Sequence, residues 1–123
     1  MSWRDYLRKA EILLDEAEKD LTFGCFNKAV SAYWFAIEAL IRSILLKHRR
    51  RIYEREGRLI SEFRKFLLEV KPEYVVLIND INSIYAMRKI ADHKSKIIEK
   101  ERAKKISTKA KYIFSRLLLL VKF

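Results

Sequence analysis

The scarcity of residues that interrupt regular structure is the strongest constraint on how this chain can fold. Its 123 residues include only two glycines, Gly24 and Gly57, and one proline, Pro72. Half of the residues are apolar, and they recur at three- and four-residue steps, which place side chains on one face of a helix. Many short strands would need far more turn residues. The sequence therefore predicts a few long helices in one domain, residues 1–123.

Residues that begin or end helices divide the chain into segments. Ser2 caps the first helix, which ends near Gly24. The second helix is expected to begin near Asn27, a good N-cap, and its apolar residues on nearly every side make it the central helix. A basic segment, residues 47–58, is interpreted as a frayed helix end and a loop that ends at Gly57.

Three more helices follow the basic segment. A shorter helix stops at Lys71, because the residue before a proline avoids the helical region, and Pro72 then opens the fourth helix. Ser95 or the residues around it are expected to start the last helix. Long antiparallel pairs of this kind predict an all-α fold, an up-and-down bundle of four to five helices.

The net charge of +11 is unevenly distributed along the chain. Residues 1–28 carry 5 Lys and Arg against 6 Asp and Glu, residues 42–58 carry 7 against 2, and residues 88–111 carry 10 against 3. Such segregation suits a polyanionic partner, either nucleic acid or an acidic protein. A solvated, lysine-rich helical surface explains the charge equally well.

Several classes of protein are disfavoured by what the sequence lacks. Cys25 is the only cysteine, so no intrachain disulfide can form and a reducing, cytoplasmic location is expected. His48 and His93 do not belong to a cluster with metal-ligand spacing, so no metal is expected. No signal segment opens the chain, and its longest apolar run near the end is far short of the ~20 residues that span a membrane.

The segment with the most chemical content is residues 88–93. Arg88 falls within the apolar stripe of the fourth helix, where a permanent charge needs a partner, and Asp92 lies one turn further on. His93 lies about 140° around an unbroken helix from Arg88. Either the helix ends near His93, or the pair converges on something else, such as a second copy of the chain across a dimer axis.

Other charged residues support both a structural and a functional interpretation. Glu38, the only acidic residue of the central helix, pairs with Arg42 at i+4 or else supports the Arg88 site together with Asp92. The basic segment is either a solvated turn or a phosphate-binding surface. The cations predicted to bind RNA or a nucleotide are Arg49, Arg50, Arg51, Lys89, Lys94 and Lys96.

Two parts of the chain resemble the HEPN family. The first two helices, with WRDYLRKAEILLDEA from Trp3 and NKAVSAYWFAIEALI from Asn27, resemble the N-terminal hairpin of HEPN domains. Arg88 and His93 match their Arg-x-x-x-x-His signature. The resemblance covers essentially the whole chain in length and helix order.

The resemblance implies a HEPN-like bundle that forms a homodimer. Many HEPN proteins are metal-independent endoribonucleases without a cofactor, often the toxin of a toxin–antitoxin pair with a nucleotidyltransferase, and others only bind nucleotides or RNA. It assigns Arg88 to the scissile phosphate and His93 to acid–base catalysis. In toxins of such pairs a tyrosine that accepts a nucleotide commonly follows two positions after the histidine, where this chain has Ser95. A small polar residue often follows the arginine, where this chain has Lys89.

The sequence leaves three hypotheses: a HEPN-type ribonuclease, a non-catalytic module that binds a nucleotide, RNA or a nucleotidyltransferase, and a structural helical dimer. Cleavage by attack of the RNA 2′-hydroxyl needs a group that moves protons near neutral pH and a fixed cation for the phosphate, and a histidine and an arginine supply them. Tyr53 or Tyr112 is a candidate for stacking on bases. The ribonuclease hypothesis is preferred.

Overall fold

The computed structural model describes residues 1–93 and 95–122. These residues form five α-helices, a 3₁₀ helix and no strand, which confirms the predicted all-α fold. The helices are α1 (Trp3–Thr22), α2 (Phe26–Lys47), α3 (Glu56–Val70), α4 (Leu77–Ala91) and α5 (Lys100–Lys122), and the 3₁₀ helix, Pro72–Val76, precedes α4.

The start of α1 follows the predicted capping pattern. The Asp5 amide donates to Ser2 Oγ at 3.2 Å, and the Ser2 amide donates to Asp5 Oδ2 at 2.8 Å. These reciprocal bonds satisfy amides that a helix start otherwise leaves unpaired. Gly24 lies in the turn after α1 with a φ of +79°, a backbone conformation that glycine adopts without strain.

Helix α2 is the centre of the bundle, as its apolar sequence predicted. Twelve of its 22 residues are buried, and it packs against all four other α-helices. It is also the one helix within residues 1–93 and 95–122 that is long and apolar enough to cross a membrane, but 67% of its most apolar window is buried inside the protein. That burial is consistent with the core helix of a soluble bundle.

Contacts near the helix ends show how the chain alternates in direction. Ser43 near the end of α2 bonds to the carbonyl of Trp3 at the start of α1, so these two helices are antiparallel. Asn27 at the start of α2 bonds to the end of α4 and to the segment before α5, whereas Lys47 at the end of α2 bonds to the end of α5. Helices α1, α2, α4 and α5 therefore form an up-and-down bundle.

Helix α3 is inserted into this bundle between α2 and α4. Arg42 donates to the carbonyls of Tyr53 and Glu54, at 2.9 and 3.4 Å, which draws residues 50–55 back along α2. The beginning of α3 consequently lies beside the middle of α2, and α3 runs in the same direction as α2. This return brings Glu56, the first residue of α3, to the middle of the bundle.

Some predicted helix boundaries are wrong. Helix α2 begins at Phe26 with Cys25 as its N-cap residue, so Asn27 lies in the first turn. Gly57 lies in the first turn of α3 instead of ending the loop, and α5 begins at Lys100 instead of near Ser95. The predicted stop at Lys71 is confirmed, since α3 ends at Val70.

Candidate active site

Arg88 lies on α4 where the sequence placed it, on a stripe shared with buried Ile81 and Ile84. Its side chain is 23% exposed. Nη1 donates to Glu56 Oε1 at 3.0 Å, and the guanidinium carbon lies 5.1 Å from the centre of the Phe35 ring. A carboxylate in hydrogen-bond contact and an aromatic face together compensate the charge on this otherwise apolar stripe.

The predicted pair of Arg88 and Asp92 is present. Arg88 Nε lies 2.9 Å from Asp92 Oδ2, but its N–H does not point along that line, and Nε has no hydrogen-bond acceptor among the described residues. The contact is therefore electrostatic. Asp92 Oδ1 instead accepts a hydrogen bond from the Ser31 hydroxyl. With a side chain that is 46% exposed, Asp92 is the more accessible of the two carboxylates on Arg88.

Glu56 completes this arrangement, although no pattern in the sequence singles it out. Its other carboxylate oxygen accepts a hydrogen bond from the indole N–H of Trp34, which is fully buried. A buried tryptophan needs an acceptor for that N–H, but the sequence does not show which of the many acidic residues supplies it. Only the return of residues 50–55 along α2 brings Glu56 to Trp34 and Arg88.

Glu38 forms the structural pair that the sequence allowed, and its role at the Arg88 site stays a prediction. Its Oε2 lies 3.9 Å from Arg42 Nη2, which is the predicted i+4 pair. Burial raises the pKa of Glu38 to about 7, Arg42 opposes that rise, and the neighbouring carboxylate of Glu56 adds to it. The charge of Arg88 has a smaller influence, which lowers the pKa of Glu38.

His93 lies just past the end of α4, which settles one of the alternatives that the sequence left open. Helix α4 ends at Ala91, with Asp92 as its C-cap residue. His93 is exposed, and its Nδ1 accepts from the Ser95 amide at 3.3 Å and lies 3.0 Å from the Ser95 hydroxyl. This bond places the proton of the neutral ring on Nε2.

Asn27 holds the segment that carries His93. Its amide nitrogen donates to the carbonyls of Ala91 at 2.9 Å and Lys96 at 3.0 Å, and its amide oxygen accepts from the Ile98 amide at 2.9 Å. One side chain thus bonds to backbone on both sides of His93. Asn27 was predicted to cap its own helix, and no local pattern indicates this long-range role.

A cavity of about 600 Å³ adjoins the Asp92 side of this cluster. Helices α1 and α2 and the end of α4 form its walls. Its lining includes Leu13, Glu16, Asp20, Asn27, Lys28, Ser31, Phe35 and Asp92. The volume lies within the ~300–1,000 Å³ range of small-molecule sites. It is a concave surface that includes Phe35 and Asp92, which contact Arg88, and its lining carries three carboxylates and two lysines.

The three consecutive arginines of the basic segment, Arg49, Arg50 and Arg51, lie away from this cluster. Phe35, beside Arg88, and Lys47, at the end of α2, are separated by twelve residues, or about 18 Å of helix. Arg50 pairs with Glu69, and Arg51 lies 5.0 Å from the Tyr53 ring, whereas Arg49 is exposed with a φ of 59°. The cluster and the arginines can therefore be reached together only by a ligand several nucleotides long.

The lysines predicted to bind RNA differ in how they are placed. Lys89 is exposed next to Arg88 on α4, with its Nζ 4.3 Å from the centre of the Tyr85 ring. Lys96 is exposed on the segment that Asn27 holds. Lys94 lies outside the described residues. Among the described residues no group of three or more His, Cys, Asp or Glu side chains is arranged to hold a metal ion.

These features define an all-α bundle with an arginine and a histidine five positions apart at the end of its fourth helix. The chain belongs to the HEPN family, since the family model described as "HEPN domain" matches residues 3–120. Membership associates the chain with functions that involve nucleotides or RNA. No curated protein was found to match the sequence.

Proposed function

We propose that this protein is a HEPN-type, metal-independent endoribonuclease in which Arg88 and His93 carry the reaction. The observation that supports this most directly is the set of contacts that hold Arg88 and the segment of His93 in place. Arg88 is fixed by Glu56 and Phe35 at the edge of a cavity, and His93 follows on a segment fastened by Asn27. Two independent sets of contacts hold the two residues in place, as preorganised catalysis requires.

In the proposed reaction the RNA 2′-hydroxyl attacks the adjacent phosphorus, and the bond from phosphorus to the 5′-oxygen breaks. The products are a 2′,3′-cyclic phosphate and a 5′-hydroxyl. Arg88 binds the phosphate, and His93 transfers a proton from the 2′-hydroxyl or to the leaving 5′-oxygen. Ser95 holds the His93 ring through Nδ1. Asp92 must yield its place beside Arg88 Nε to a phosphate oxygen, whereas Glu56, which is less exposed, remains.

A second copy of the chain completes the site in this proposal. The described residues show no hydrogen bond or ion pair between Arg88 and His93 within one copy, and a single copy supplies only one histidine for two proton transfers. A homodimer that brings two segments 88–93 together supplies a second Arg88 and His93.

We propose further that the protein is cytoplasmic and acts as the toxin of a pair whose antitoxin is a nucleotidyltransferase. The cations at residues 49–51, 89, 94 and 96 would then bind the RNA backbone through salt-dependent contacts.

The alternative is a non-catalytic HEPN module that binds a nucleotide or RNA as the partner of a nucleotidyltransferase. The observation that favours it is the double pairing of Arg88 with Glu56 and Asp92, which neutralises the cation that a phosphate must find. Lys89 and Ser95, at positions where the family signature commonly has other residues, agree with this alternative.

Cleavage of a mixed RNA substrate in EDTA distinguishes the two. The wild type is compared with Arg88→Ala and His93→Ala, and with Arg64→Ala as a matched control on the exposed face of α3. The ribonuclease proposal expects the wild type and the control to cleave the RNA. The cleavage rate should fall roughly 10²-fold or more in each site variant. An RNA with 2′-deoxy positions should not be cleaved.

Two results contradict the ribonuclease proposal. Cleavage that survives both site substitutions would remove the catalytic assignment. A wild type that binds RNA or a nucleotide without cutting would favour the alternative, and one that does neither would favour a structural role for the pair.

A further inference from the structure

A second groove, of about 1210 Å³, lies between α4 and α5. Helix α4 contributes Ser83, Ala86, Met87 and Ile90, whose spacing of three and four residues defines one face. Two residues turn a helix by about 200°, so Ile90 faces nearly opposite to Arg88. The groove is thus separate from the candidate active site and belongs to a different surface of the bundle.

The floor of this groove is apolar and open to water. Ile97, just before α5, is 87% exposed, and Ile90 is 41% exposed. Met87 and Ile98 lie beneath them and are nearly buried. Adjacent branched aliphatic side chains left in water favour an apolar partner, because covering them removes that surface from solvent.

The α5 wall of the groove is cationic. Four cations and two carboxylates, Glu99 and Glu101, line the groove, a net charge of +2. Lys109 pairs with Asp80 at 3.6 Å. Within the described part of the chain, no carboxylate oxygen lies within 4.0 Å of a side-chain nitrogen of Arg102, Lys104 or Lys105. The groove therefore combines an apolar floor with three cations that have no ion-pair partner there.

We propose that this groove binds an acidic amphipathic helix of a partner protein. Apolar side chains at i, i+3, i+4 and i+7 of such a helix would cover Ile90 and Ile97, and flanking carboxylates would face Arg102 and Lys105. The lining runs from residue 83 to 90 on α4 and from 101 to 109 on α5, about 10–12 Å. That length accommodates two turns of a docked helix.

The same features disfavour the other occupants. RNA offers phosphates for the cations, but it would leave the apolar floor uncovered, because the groove lining has no aromatic ring on which a base could stack. A second copy docked through a two-fold axis would place one cationic wall against the other.

Fluorescence anisotropy with a labelled synthetic peptide tests this proposal. The peptide has 18 residues, with leucine at i, i+3, i+4 and i+7 and mainly glutamate elsewhere, and a peptide of the same composition in scrambled order is its control. The full chain should bind the amphipathic peptide roughly tenfold or more tightly than the scrambled peptide, because only the former presents one apolar face.

Two pairs of variants locate the peptide on the protein. Ile90→Glu with Ile97→Glu should weaken binding by roughly tenfold or more. The matched control is Ile12→Glu with Leu68→Glu, two apolar residues that are also half exposed on other helices, and it should leave binding within about twofold of wild type.

Charge reversal gives a second comparison. Arg102→Glu with Lys105→Glu should weaken binding roughly fivefold, and the same reversal at Arg64 and Lys65 on α3 should change it much less. If the double isoleucine variant does not fold by circular dichroism, Ile97→Glu alone replaces it, since that side chain is almost fully exposed.

Four results overturn the proposal. One is equal binding of the scrambled peptide, and another is equal weakening by the control variants. A third is that both groove variants bind a 16-nucleotide RNA more weakly than the wild type does, while the peptide does not bind the protein at all. The fourth is a dimer, measured by light scattering, that dissociates on Ile90→Glu with Ile97→Glu, which would assign the groove to a second copy.

Discussion

Replacing Glu38 with glutamine should flatten the dependence of folding stability on pH between pH 5 and pH 8. The Glu38 side chain is 18% exposed and lies between Arg42 and the carboxylate of Glu56. Burial is the largest influence and raises its pKa from 4.5 to about 7, because the charged form loses its hydration. Glutamine imitates the protonated carboxyl group and cannot ionise.

The sign of the effect follows from the direction of that change in pKa. The folded protein favours the protonated carboxyl of Glu38, so this stabilisation is complete below the unfolded pKa of 4.5 and is lost as the pH rises through about 7. The interval between the two pKa values corresponds to roughly 3 kcal/mol. Most of this contribution is lost between pH 5 and pH 8.

Urea denaturation followed by circular dichroism at pH 5, 6, 7 and 8 measures this effect. The free energy of unfolding of the wild type should fall relative to that of Glu38→Gln as the pH rises. At pH 8 the variant should be the more stable protein, although Arg42 loses part of its pairing. Glu11→Gln, the same change at an exposed position of α1, should follow the wild type.

Parallel pH profiles of the wild type and Glu38→Gln would contradict this prediction. They would mean that Glu38 has the same pKa in the folded and unfolded chains, and hence that burial does not penalise its charged form. A change in the urea m-value between the proteins would instead indicate altered compactness, and the comparison would then be repeated by calorimetry.

Two further predictions concern the segment that carries His93. Asn27→Ala removes three hydrogen bonds, so its free energy of unfolding in urea should fall by about 2–3 kcal/mol, and the Ile98 amide should exchange hydrogen faster. The control is Asn82→Ala, an exposed position on α4. Equal stability of the two variants would contradict the role of Asn27. Asp92→Asn removes a competing carboxylate from Arg88 and should strengthen RNA binding about fivefold at low salt. The same substitution in an Arg88→Ala background should have no effect. An affinity unchanged by Asp92→Asn alone would show that RNA does not bind at Arg88.

Local sequence rules predicted the parts of the fold that depend on neighbours along the chain. The cap at Ser2, the stop before Pro72 and the pair of Arg88 and Asp92 each involve residues within four positions of one another. The apolar composition of α2 likewise predicted its central position, because a helix that is apolar on nearly all sides must be surrounded.

The remaining features depend on contacts between distant parts of the chain. Asn27 has the side chain of a good N-cap residue, yet its side-chain amide forms hydrogen bonds with backbone groups more than 60 positions away. Glu56 lies 32 positions from Arg88. Neither partner can be identified until the return of residues 50–55 and the path after α4 are known. The start of α5 was misplaced for a related reason, since Asn27 holds the preceding residues outside a helix.

The hydrogen bond from Trp34 to Glu56 gives the protein an intrinsic optical reporter. Trp34 is one of two tryptophans, and its ring lies 4.9 Å from that of Tyr85. The other, Trp3, lies beside the cations of Arg4 and Lys47. With Trp3→Phe a single indole remains, and its emission wavelength responds to the electric field of the Glu56 carboxylate. A ligand that draws Arg88 away from Glu56 changes that field, so its arrival can be followed by an electrochromic shift without any label.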